Sequence, residues 1–180
     1  MQLISTTDAW AQFSVAGPKA RALLERVVDG FDLSNEAFPF MACSELTICG
    51  GLRARLFRIS FSGELAYEIA VPARYGDALM AKLVEVGADL GATPYGTEAL
   101  GVLRIEKGHP AGNELNGQTT AQMLGLGKFV STKKDSIGAV LSRREALVED
   151  SRILVGLQPV DPADKVVAGS HLFRDGEVQD

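Results

Sequence analysis

The spacing of apolar and polar positions changes several times along the chain, and each change marks an element. Residues 10–15 alternate loosely around Trp10, Phe13 and Val15 and predict a first strand. Gly17-Pro18 then opens a helix, because proline is already set for a first helical turn. Ala20, Leu23, Leu24, Val27 and Val28 recur at i, i+3, i+4, i+7 and i+8, which is one buried helical face. Asp29-Gly30 ends it. Residues 31–40 carry Phe31, Leu33, Phe38 and Phe40 with no clean period and read as a packed loop. Glu45 to Ile48 and Leu52 to Phe61 flank Gly50-Gly51, a two-residue hairpin signal. A turn at Ser62-Gly63 leads into a strand from Leu65 to Val71, ended by Pro72. Tyr75, Ala78, Leu79, Lys82, Leu83 and Val86 follow as a second amphipathic helix that stops near Gly87 and Gly91. Read as β-α-β-β-α with antiparallel strands, this order lacks only a final strand for the ferredoxin-like split βαβ pattern. The expected fold class is therefore α+β, with helices over one face of an antiparallel sheet.

Beyond residue 90 the pattern thins. Tyr95-Gly96-Thr97 leads into a third helix through Ala99, Leu100 and Leu103, closed by Gly108, with Thr97 expected as its N-cap. From His109 to Thr132 glycine, asparagine, glutamine and threonine dominate, the mark of a long connection. Asp135 is expected to cap a short helix from Ser136, and Arg143 to Val148 to form another. Asp150 to Val160 and Gly169 to Phe173 read as strands that begin a β-barrel module. The division expected is a ferredoxin-like subdomain at residues 8–110, a linker with short helices at 111–150 and a truncated barrel at 151–180. Arg174-Asp175-Gly176-Glu177 is a turn signal that joins two strands, with little left for the second. The chain thus reads as a fragment of something longer, and its open sheet edges make self-association a further expectation.

Composition narrows the function classes. The 180 residues are 46% hydrophobic and 23% charged, as in an ordinary globular protein. A formal net charge of −5 leaves no basic footprint for nucleic acid. No apolar run approaches the roughly 20 residues that span a bilayer, and no signal peptide opens the chain, so a cytoplasmic protein without a membrane partner is expected. Cys43 and Cys49 are expected reduced and partly buried, since a bridge within one strand is geometrically poor. No Cys/His spacing matches a metal-ligand pattern, and His109 and His171 stand far apart. No nucleophile motif and no glycine-rich phosphate loop is present. Arg53 and Arg55 share a strand face, with Arg58 on the other, and read as solvated or salt-bridged. Arg104 and Glu106 are two residues apart on a helix and so do not face each other.

The stretch that draws the chain together is Phe61-Ser62-Gly63-Glu64-Leu65-Ala66-Tyr67-Glu68-Ile69. A turn feeds an alternating strand in which Leu65, Tyr67 and Ile69 share one face and Glu68 lies on the other. Its plain reading is a hairpin with two solvated glutamates. An acid aimed from the end of a strand is also a common way to build a ligand site.

Four ordered pieces carry a family resemblance: Ser62 to Ile69, Tyr95-Gly96-Thr97-Glu98-Ala99-Leu100, Leu103-Arg104-Ile105-Glu106-Lys107-Gly108, and Lys133-Lys134-Asp135-Ser136-Ile137-Gly138. Together, over residues 8–173, they resemble the folate-binding aminomethyltransferase family, which includes the T-protein of the glycine cleavage system. Within it they are most similar to the carboxy-terminal part of the sarcosine oxidase alpha subunit. The resemblance implies a tetrahydrofolate site in which the last acid of Gly-Glu-x-x-x-Glu, here Glu68, hydrogen-bonds the pterin. A carboxylate suits the adjacent N–H donors of a pterin edge. Tyr67 and Glu64 are then neighbours rather than ligands. The resemblance further implies amine oxidation at a flavin elsewhere in a parent complex and capture of the one-carbon unit on tetrahydrofolate. Flavin and NAD would sit in other parts of that complex, and other sarcosine oxidase subunits would be partners.

Three departures matter. Where the T-protein has an arginine, this chain has Leu100. The family's catalytic aspartate is expected upstream, and Asp8 is not in its motif, so no catalytic residue is nominated and the fragment is expected to be inactive alone. Lys107-Gly108-His109-Pro110-Ala111-Gly112-Asn113 lacks the cysteine of the family's iron–sulfur maintenance branch, which argues against a non-catalytic assembly role.

Overall fold

The computed structural model describes every residue except Met1, Thr132, Ser151, Ala168, His171, Leu172, Asp175, Gly176, Gln179 and Asp180; for Phe173, Arg174, Glu177 and Val178 it describes the backbone alone. The chain divides into two compact units, residues 1–110 and 111–180.

The first unit is built on four strands: β1 (Trp10–Ala16), β2 (Cys43–Ile48), β3 (Leu52–Phe57) and β4 (Ala66–Pro72). They form one antiparallel sheet in the order β1-β4-β3-β2. Helix α1 (Ala20–Leu24) joins β1 to β2, and α2 (Gly76–Gly87) follows β4. The α+β architecture is as the periodicity predicts, and four strands precede the second helix where the segments place them: the element order is β-α-β-β-β-α, one strand more than the β-α-β-β-α reading counts. The strand after Leu52 ends at Phe57 rather than Phe61. The main chain turns there as Arg58 donates its N–H to Ala42 and accepts from Met41, each at 2.9 Å.

Period-two alternation sends Leu46, Ile48, Ala54, Leu56, Tyr67, Ile69 and Val71 to one face, where Ala20, Leu23 and Leu24 of α1 and Leu79 and Leu83 of α2 cover them. Leu33 and Phe38 from the loop after α1 complete this core, so residues 31–40 are indeed a packed loop. Seven large side chains in the core are almost wholly shielded, Tyr67 the largest. At about 25 cal/mol per Å² of apolar surface removed from water, this burial is the main term holding the unit together.

The β2–β3 hairpin turns at Gly50 and Gly51, both at positive φ (81° and 121°) where a side chain would be strained. Asp29, just past the helical turn of α1, accepts from the Gly50 and Gly51 N–H groups at 2.9 Å. Val27, Val28 and Asp29 also run beside the free edge of β2: Val28 bridges Ile48, Asp29 N donates to Thr47 O and Cys49 N to Val27 O.

Cys43 and Cys49 are free thiols, and both are exposed, not partly buried as the sequence suggests. Cys43 falls on the outward phase of β2, and Cys49 sits in the turn at φ 51°. Residual burial still pushes the Cys49 thiol up, and the nearby Asp29 carboxylate adds to that.

Helix α3 (Thr97–Lys107) closes the first unit. Its N-cap is Gly96, with no side-chain hydrogen bond, so Thr97 is the first helical residue and not the cap. Gly108 ends it in the left-handed conformation, as expected. None of its residues is buried, and Val102 and Ile105 are exposed.

The second unit is mostly turns. Two five-residue helices, α4 (Ile137–Leu141) and α5 (Glu145–Glu149), lie near the predicted places. Ser136, not Asp135, caps α4, accepting from Ala139 N at 3.2 Å. Residues 152–160 form no ladder: Ile153, Leu154, Val155 and Leu157 carry a strand-like composition but are exposed and pair with no strand. A strand needs a partner, and among the described residues of this unit none is supplied. The predicted strand at Gly169 to Phe173 lies partly outside the described residues. Phe173–Arg174 (β5) pairs antiparallel with Glu177–Val178 (β6), and the sheet is not closed; the expected turn at Asp175-Gly176 lies outside the described residues.

Candidate functional site

The site is best built from the turn at residues 60–64. Ser60 Oγ accepts from Gly63 N at 2.8 Å, which folds the chain back after β3. Gly63 has φ +88°, and a Cβ placed there would stand 2.6 Å from Cδ of Lys107. Only glycine meets both the backbone conformation and that close approach. The turn is held a second time where Phe61 meets the His109 ring edge-on, 4.7 Å between centroids. The end of α3 thereby fixes where β4 begins.

From that start, alternation assigns the faces. Tyr67 points into the core, stacked on Phe38 at 6.4 Å, and its hydroxyl accepts from Arg21 Nε at 3.1 Å. Glu64 remains in the turn, exposed. Glu68 lies on the face opposite the helices, half-buried, with Ser14 of β1 on one side and Phe57 of β3 on the other. Gln12, two residues along β1, donates its amide Nε2 to Glu68 Oε2. That bond uses one acceptor position of a carboxylate that has about four.

The rest of this open face is a mixed aromatic and charged surface. Arg55 lies over the Trp10 ring, 4.0 Å to its centroid, and this pair straddles β4. Ala70, the β4 residue between Gln12 and Arg55, is buried although it lies on the face opposite α1 and α2. Glu45 accepts from Arg53 at 3.0 Å and from Arg55 at 3.2 Å. Those two guanidinium hydrogen bonds hold the Glu45 carboxyl below the usual carboxylate range. Arg53 and Arg55 thus share a face and are salt-bridged, whereas Arg58 turns away and donates to Phe38 O at 2.7 Å.

Sequence reasoning picked out Glu68 and missed its surroundings. Gln12, Trp10, Phe57 and Arg55 come from two other strands, and only the register of β1 and β3 on β4 brings them to it. The one sequence signal was the polar phase of β1, Trp10, Gln12 and Ser14. Of the resemblance pieces, Leu100, Arg104 and Glu106 all lie on α3, where Arg104 reaches His109 O at 3.3 Å and Glu106 is exposed. Among the described residues no three His, Cys, Asp or Glu side chains gather as a metal site would need, and no helix is long and apolar enough to cross a membrane.

Comparison with known proteins adds a second line. Residues 1–134 match the family described as GCVT N-terminal domain. The sarcosine oxidase subunit alpha of Rhizobium meliloti is 51% identical over 179 residues, covering 98% of this chain and 18% of the relative. The sarcosine oxidase subunit alpha of Corynebacterium (strain P-1) is 42% identical over 177 residues, again 18% of its length. An aminomethyltransferase of Thermoanaerobacter is 32% identical over 165 residues, 44% of its length. The chain therefore spans under a fifth of the sarcosine oxidase subunits it matches.

Proposed function

The chain belongs to the GCVT N-terminal domain family, and from that membership we propose that it is the tetrahydrofolate-binding part of a sarcosine oxidase alpha subunit. In this reading the open face of the sheet receives the pterin, and Glu68 accepts hydrogen bonds from its N–H edge. The single observation that supports it best is the state of Glu68. It is half-buried, oriented by the Gln12 amide, and paired across the sheet with Phe57 on the face opposite α1 and α2. A fully solvated glutamate would have no such orientation.

The residues present suit a pterin. A carboxylate with one oxygen engaged by an amide keeps acceptor positions for a forked pair of donors. Phe57 offers an apolar wall, and the Trp10–Arg55 pair extends the same surface. When bound, tetrahydrofolate supplies the nitrogen atoms that take up a one-carbon unit. What this chain contributes is position: Glu68 fixes the ring edge, Gln12 fixes Glu68, and the Gly63 turn fixes the strand that carries both constraints. No residue here is assigned a proton-transfer role. The larger enzyme would oxidise an amine such as sarcosine in other segments and subunits, and its setting would be cytoplasmic. The sarcosine oxidase reading is preferred to the aminomethyltransferase one because the higher identities are to that branch and Leu100 replaces the T-protein arginine.

Calorimetric titration of tetrahydrofolate into the parent protein, wild type and Glu68→Ala, tests the assignment. Losing a charge-assisted hydrogen-bonded partner costs about 1.5–3 kcal/mol, so affinity should fall roughly ten-fold or more. Equal affinities would remove Glu68 from the site.

A further inference from the structure

The open face of the sheet changes sign along its length. At one end Glu68 accepts hydrogen bonds. The outward residues of β3 lead away from it in order: Phe57 stands opposite Glu68, Arg55 opposite Ala70, and Arg53 comes two residues further on. Four residues at strand rise put the Arg53 row about 13 Å from the Glu68 row.

That far end is cationic. Arg53 Nη2 and Arg55 Nε converge on the one carboxylate of Glu45, which stands opposite Arg55 on β2. Among the described residues neither guanidinium bonds a second carboxylate. One arginine would suffice to pair Glu45, so the cluster holds a cation in excess within a chain of net charge −5. Each guanidinium has five N–H donors and spends one on Glu45. Both side chains are open to a ligand, Arg53 at 80% and Arg55 at 43% exposure. The two bonds that hold the Glu45 carboxyl low would equally favour the charged form of any carboxylate brought beside it. An aromatic surface lies at the same end, where Arg55 covers the Trp10 ring at 4.0 Å.

Tetrahydrofolate changes along its length in the same sense. It has N–H donors on the pterin edge, an aminobenzoyl ring in the middle and the carboxylates of a glutamate at the far end. Building on the reading that Glu68 meets the pterin, we propose that Arg53 and Arg55 receive the carboxylates of this glutamate tail. The aminobenzoyl ring then lies along the face toward Trp10, and the cluster selects folates by their tail. Each further glutamate adds a carboxylate, so polyglutamylated folates gain most.

Calorimetric titration of the parent protein with three probes tests this: tetrahydrofolate, its triglutamate, and 6-methyltetrahydropterin, which has the ring but no tail. The wild type should bind the triglutamate more tightly than tetrahydrofolate, by a margin that high salt removes. Arg53→Gln with Arg55→Gln should weaken tetrahydrofolate about three- to ten-fold, abolish the triglutamate margin and leave 6-methyltetrahydropterin unchanged. Glu68→Ala should weaken all three probes. Unchanged tetrahydrofolate affinity in the arginine variant, while Glu68→Ala still weakens the tail-less probe, would overturn the tail assignment and leave the pterin reading standing. Equal weakening of all probes by the arginine variant would also overturn it, because the arginines would then support the sheet. A wild type that binds none of the probes would overturn the pterin reading and the tail assignment together.

Discussion

The two faces of one sheet follow opposite rules. On the helix side, Leu56, Tyr67, Ile69 and Val71 are sealed by α1 and α2 and held by area. On the open side, Glu68, Gln12, Arg55, Trp10 and Glu45 are held by hydrogen bonds, one cation–π contact and ion pairs. The first face is expensive to change and chemically inert. The second is cheap to change and carries the carboxylates and their partners. Alternate residues of one strand can separate holding a fold from presenting polar groups, and β4 does this between Tyr67 and Glu68; in the function proposed above the second task is to meet the pterin.

Substitutions that respect or cross this division put it at risk. Leu56→Ala should cost about 2–5 kcal/mol of unfolding free energy, because the cavity it leaves sits under both helices. Urea titration measures this, and a loss under 1 kcal/mol would mean the helix face is not the sealed one. Arg55→Ala should cost far less, about 0.5–1 kcal/mol, from the lost contact with Trp10 and the uncovering of Ala70. Glu68→Gln should move stability by no more than about 0.5 kcal/mol while weakening tetrahydrofolate, separating binding from folding on one residue. If it unfolds the chain instead, Glu68 belongs to the scaffold. The smallest effect is in acid. The Glu45 carboxyl is lowered in the folded state, so its stabilisation is present above the ordinary carboxylate pKa and is lost as pH falls through the lower folded value. The urea midpoint of the wild type should therefore drop below about pH 4 slightly more steeply than that of Glu45→Gln. Matching slopes would show that the Arg53 and Arg55 bonds add nothing.

What could be read in the sequence was whatever depended on neighbours in the chain. The α1 face at Ala20, Leu23 and Leu24, the Gly50-Gly51 hairpin, and the inward phase of Tyr67 and Ile69 all follow from local period. Glu68 was visible through the same alternation. Its partner Gln12 was not, being 56 residues away and joined only by strand pairing. Residues 152–160 show the reverse failure: β-branched composition signalled a strand, but composition cannot provide a neighbour. The cysteines mislead for a related reason. Cysteine as a residue type favours the interior, but the phase of β2 places Cys43 outward and the turn takes Cys49 out of the strand altogether.

Asp29 has a consequence for how the hairpin finds its pairing. Its carboxylate receives the Gly50 and Gly51 amides only when Ile48 stands opposite Leu52. Slipping the strands by one residue would turn Leu46 and Ile48 toward water and leave that carboxylate without its donors, two penalties incurred together. A single acid five residues past α1 thus proofreads the alignment of two strands that meet at a turn more than twenty positions further along.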